Sequence, residues 1–75
     1  MDIEGRLRLL ELHYRAALSA SVAAKASYLA LIGDPSALPR AVDRANERWR
    51  ELDALKRGIA FEMAELEELE HESTT

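Results

Sequence analysis

The chain has 75 residues, of which 48% are apolar, 32% charged and 5% aromatic, with no cysteine and a formal net charge of −4. That length allows one small domain, near the size at which a single core is only marginally stable. The missing cysteines exclude disulfides and thiolate metal sites, and scarce aromatic and β-branched residues speak against a sheet. No apolar run approaches the ~20 residues of a membrane span, and the N-terminus lacks a basic-then-apolar leader pattern. The expected compartment is the cytoplasm.

From Asp2 to about Ile32 the apolar and small residues recur at alternating spacings of four and three: Ile3, Leu7, Leu10, Tyr14, Ala17, Ser21, Ala24, Tyr28 and Leu31. That period predicts one long amphipathic helix. The segment from Gly33 to Pro39 holds both prolines and predicts a turn, with Gly33 as a left-handed residue closing the helix and Pro35 blocking its continuation. Ser36 is the favoured N-cap of the next helix, with Pro39 at its third position, where no intrahelical amide bond is lost. Asp34 as N-cap is disfavoured, because it places Pro39 far enough in for its ring to clash.

The second helix is predicted over 36–70, with Leu38, Val42, Ala45, Trp49, Leu52, Lys56, Ile59, Met63 and Leu66 in the same spacing and a frayed polar tail at 71–75. Each helix is ~45 Å long at a rise of ~1.5 Å per residue, and two such helices joined by a short turn must pack antiparallel. The fold class is therefore all-α, a two-helix hairpin. Folding about the turn sets opposite each other residues whose numbers sum to about 70. Trp49 then faces Ser21 and Ala20, in a stretch holding seven of the 13 alanines, and Tyr28 faces Val42. Lys56 comes opposite Tyr14, with its ammonium expected near the ring. Arg6 and Arg8 lie beside the acidic end that begins at Glu62. Gly5 and Gly58, each costing ~1 kcal/mol in a helix interior, suggest a close approach or a bend.

Apolar residues remain once this seam is filled: Leu9, Leu12, Leu18, Val22, Leu29, Leu55, Phe61 and Leu69. A hairpin this small gains by covering them, so a homodimeric four-helix bundle is expected, with docking of a partner protein helix as the alternative use of the same residues.

Chemistry is thinly represented. Only two histidines, His13 and His71, are present, and no serine has the strand-turn-helix setting of a nucleophile; no catalytic residue is assigned. Glu68 and His71 have a Glu-x-x-His spacing used in carboxylate metal bundles, but no glutamate occupies the middle of either core stripe, so no metal or cofactor is expected. Arg40, Arg44 and Arg48 form a basic line at successive turns. Asp43, Glu47, Glu51 and Asp53 are interleaved with it, as on a solvated face carrying ion pairs such as Asp53 with Arg57, and nucleic acid is the lesser expectation.

The stretch Leu31-Ile32-Gly33-Asp34, followed by Ala37-Leu38 and Trp49-x-x-Leu52, is loosely similar to small bacterial export chaperones of the flagellar and type III secretion kind. The likeness carries no binding residue over, and Pro39 is not part of that pattern. The expected function is non-enzymatic: a small adaptor, chaperone or regulator acting through self-association and protein contact, with a nucleic-acid-binding hairpin dimer as the alternative.

Overall fold

The alternating spacing does produce helices. In the computed structural model, which describes residues 2–73, α1 spans Ile3–Ile32 and α2 spans Pro39–Ser73, packed against each other as an antiparallel hairpin. Asp2 caps α1, its carboxylate accepting from the Gly5 backbone N–H at 3.1 Å. Gly5 belongs to this cap: a Cβ added there would lie 2.6 Å from an Asp2 carboxylate oxygen. α2 continues through Ser73, past the Glu70 at which the sequence ends it, and residues 74 and 75 lie outside the described part.

The turn departs from expectation at two points. Gly33 is not left-handed; its φ of −78° and ψ of −5° are ordinary helical values. α1 ends by tightening: Gly33 N–H donates to the Leu29 carbonyl at 3.1 Å and Asp34 N–H to the Leu31 carbonyl at 3.2 Å. The last carbonyls are thus satisfied without a left-handed residue. Ser36 does not cap α2. Its backbone N–H and its hydroxyl both donate to one Asp34 carboxylate oxygen, at 2.9 and 2.7 Å, closing a turn in which Ala37 N–H also reaches the Asp34 carbonyl. The helix starts later, with the Leu38 carbonyl accepting from Val42 N–H at 3.2 Å. Pro39 is then its first residue, where a fixed φ is suited to a helix and a missing N–H costs nothing.

Hydrogen bonds from the Ser36 hydroxyl, then from its backbone N–H, hold the Asp34 carboxyl below its ordinary pKa. A carboxyl lowered in the folded state contributes stability above its unfolded pKa and loses it as the pH falls through the folded value. The Asp34 titration followed by NMR should therefore have a midpoint below that of a free aspartate, and Ser36→Ala should raise it. An unchanged midpoint in that variant would remove the hydroxyl from the account.

The seam lies where the spacing puts it. All nine α1 positions are buried or half-buried, with Ala17, Ser21 and Ala24 buried, and so are the α2 positions from Val42 to Leu66. Leu38, at 70% exposure, is the exception, because it precedes the helix and does not share its phase. The pairing along the seam follows the fold about the turn, Leu52, Leu55 and Ile59 lying level with Ala20, Ala17 and His13, but Trp49 does not settle on Ser21 and Ala20. Trp49 stacks on Tyr28, ring centroids 5.9 Å apart and planes 13° from parallel, and the Lys25 ammonium sits 5.4 Å from the indole centre. Lys56 turns its ammonium to Asp53 at 3.1 Å and not to the Tyr14 ring, since a carboxylate one turn away outweighs a ring face. Arg8 pairs with Glu4 of its own helix at 3.7 Å, away from the acidic end of α2.

Gly58 has no neighbour within 4 Å of a Cβ built on it, so no close approach within the chain explains it. Gly58→Ala should stabilise the hairpin by about 1 kcal/mol through helix propensity and unfolded-state entropy, read as a higher urea midpoint. A lower midpoint would mean that something outside the chain packs there.

Candidate functional site

A rod 59 Å long and 15 Å across has little interior. Among the described residues only Ala17, Ser21, Ala24 and Leu66 are buried, and no large side chain is fully enclosed. Any functional surface must therefore be one of the two flat faces that flank the seam, or the outer side of a helix.

The first face carries a furrow. Its central depression, about 520 Å³ in volume, has Leu10, Ala17, Leu52 and Ile59 of the seam as its floor; His13, Ala16 and Ala20 of α1 form one wall, and Leu55 and Glu62 of α2 the other. Alanines make the α1 wall low, because a methyl group leaves the flank of the seam uncovered. Toward the turn the furrow continues past Ala20 to Ala23, Ser27, Ala45 and Arg48. Toward the chain ends it continues past Glu62 to Arg6, Glu65, Leu66 and Leu69.

The opposite face differs in its charges. Helical phase, 100° per residue, places Glu4, Arg8, Glu11, Arg15, Asp53 and Arg57 on that side or behind it. These residues pair among themselves: Arg8 with Glu4 at 3.7 Å, Arg15 with Glu11 at 3.9 Å and Arg57 with Asp53 at 2.9 Å. The Asp53–Arg57 pair is the one the spacing predicts. Around the furrow, by contrast, Arg48, Glu62 and Glu65 form no ion pair among the described residues.

All eight apolar residues singled out from the sequence are exposed, but helical phase distributes them. Leu9, Leu55 and Leu69 lie on the furrow face, with Leu12 at its outer margin. Leu18, Val22 and Leu29 lie on the opposite face, near Ile32. Phe61, 65% exposed, projects from the outer side of α2. Of the basic line only Arg48 lines the furrow, seven residues before Leu55; Arg44 lies further outward and Arg40 shares the outer phase of Phe61. The signal that would have found this division is the phase of each charge relative to the seam.

His13 is an exposed wall residue of the furrow, and His71 is exposed at the far end of α2. Among the described residues no three His, Asp or Glu side chains converge to hold a metal ion, and no helix is long and apolar enough to cross a membrane. Comparison with protein-family models, with curated proteins and with solved structures finds no match.

Proposed function

We propose that the chain acts without catalysis, through protein contact, as a helical hairpin that associates with itself and offers remaining apolar side chains to a partner helix. The observation that supports this reading is surface in excess. A compact monomer of this mass exposes about 4600 Å², whereas this 8.4 kDa chain exposes 5882 Å². Its radius of gyration is 17.0 Å, against about 11 Å for a compact domain of the same length. The difference in area is on the order of what one protomer buries in a stable dimer, and ten large apolar side chains stand in it, more than half exposed except for Leu18. Scattered singly such residues need no explanation; along two faces of a rod they do.

Sedimentation equilibrium at micromolar concentration tests the reading. The expected species has twice the 8.4 kDa chain mass. A well-folded species at the chain mass, over the whole micromolar range, would overturn self-association and leave both faces to a different protein.

One observation favours a second reading, binding of nucleic acid: the Arg40, Arg44 and Arg48 guanidiniums form no ion pair among the described residues. Against it stand the net charge of −4 and the acids interleaved with the line. Phosphate binding through these arginines would fall steeply with salt, by a slope of about −0.7 to −0.9 per phosphate neutralised, and would be lost on changing all three to glutamine. The protein-contact reading expects no measurable binding at physiological salt.

A further inference from the structure

The charges around the furrow are sorted by position. Along the furrow edge of α2, Arg48 lies toward the turn and Glu62 and Glu65 toward the chain ends, with Arg6 of α1 beside them, and among the described residues Arg48, Glu62 and Glu65 form no ion pair. The apolar depression that includes Leu55 lies between them, and Leu55 is midway in sequence between Arg48 and Glu62. An edge of α2 with a basic residue, an apolar middle and acidic residues in turn is complementary to itself when turned end for end.

From this we infer that the furrow face binds a second copy of the chain, head to tail, about a two-fold axis passing near Leu55. The inference rests on the self-association proposed above and specifies its face, direction and register. The axis is perpendicular to the helices, so α2 runs antiparallel to α2 of the second copy and Leu55 meets its own symmetry mate. Arg48 of each protomer then meets Glu62 of the other, and Arg44 comes near Glu65. On α1 the axis passes the Ala16–Ala20 stretch, which brings Leu9 of one protomer toward the Ala23–Ser27 part of the other, large against small.

The alternative two-fold, parallel to the helices, lays α2 on α1 of the second copy, so that Arg48 comes over the Ala23–Ser27 part, with no carboxylate to meet. The opposite face is a poorer choice for this contact. Arg8, Arg15 and Arg57 are already paired with carboxylates of their own helices there, and Leu18, Val22 and Leu29 remain there for a partner of other identity. The furrow is also where the close packing of a bundle is feasible, since its α1 wall is made of alanines and its floor of seam side chains.

Charge exchange and one distance test the inference. Arg48 and Glu62 are exposed, so Arg48→Glu and Glu62→Arg should leave the helical circular dichroism unchanged. Each single change should weaken the dimer at least tenfold in Kd, because each pair occurs twice. The double variant should return to within about threefold of the unaltered chain. The chain has no cysteine, so Ser36→Cys in the turn takes one spin label per protomer. The head-to-tail dimer places two labels at opposite ends, about 55 Å apart from the helical rise, whereas the parallel dimer places them within about 25 Å. A dimer with the short distance, or one in which the double variant is no tighter than the singles, overturns the face and direction while self-association stands. A chain that stays monomeric overturns both.

Discussion

Trp49→Ala should destabilise the protein by about 3 kcal/mol, near the lower end of the range for truncating a large core aromatic. The lower end applies because Trp49 is half-buried. Its indole stacks on Tyr28 at 5.9 Å and lies under the Lys25 ammonium at 5.4 Å, so the truncation removes a stack and a cation–π contact along with apolar area. In a chain with so few buried residues, that loss is a large part of the total stability. Urea denaturation followed by helical circular dichroism measures it. A double-mutant cycle with Tyr28→Ala should return a coupling of about 1 kcal/mol. Stability within about 1 kcal/mol of the unaltered chain would show that the stack contributes little and that Trp49 is available to a partner.

Leu66→Ala should cost about 2–3 kcal/mol, and its effect should be local before it is global. At 9% exposure, Leu66 is the one large side chain buried among the described residues, and it lies at the open end, among Glu62, Glu65, Glu67, Glu68 and Glu70. Carboxylates at a helix C-terminus oppose its dipole, and Arg8, turned to Glu4, does not offset them. Burial of Leu66, with Arg6 beside Glu62 and Glu65, holds this end closed. Hydrogen exchange in the variant should show the last turns of α2 losing protection while amides near Trp49 keep theirs. Uniform loss along α2 would mean that the hairpin opens only as a whole.

The two helices, their antiparallel order and the identity of nearly every seam residue were determined by the sequence alone. The reason is that a four-three spacing sustained over the length of each helix admits one phase only, and a short turn with two prolines admits one direction. Local rules fared less well where two of them competed. At Ser36 a helix cap and an aspartate turn call on the same hydroxyl, and the Asp34 carboxylate, a charged acceptor at 2.7 Å, took it. The start of α2 accordingly moved to Pro39. At Gly33 a tightened last turn satisfied the carbonyls for which a left-handed glycine was expected.

Individual side-chain partners and the face each flank residue takes were decided only by the tertiary structure. The fold about the turn sets Trp49 level with small residues of α1, yet its indole stacks on Tyr28, since the two flattest side chains of the seam bury more against each other than against alanine and valine. That stack also assigned Lys25 to the indole and left Lys56 to Asp53. Which exposed residues share a surface depends on two helices at once. Leu9 and Leu55 are distant in sequence, and only the packing of α1 on α2 sets them on one face with Arg48 and Glu62. The same packing sends Leu18, Val22 and Leu29 to the other face, because side chains flanking a seam must turn to one side of it or the other.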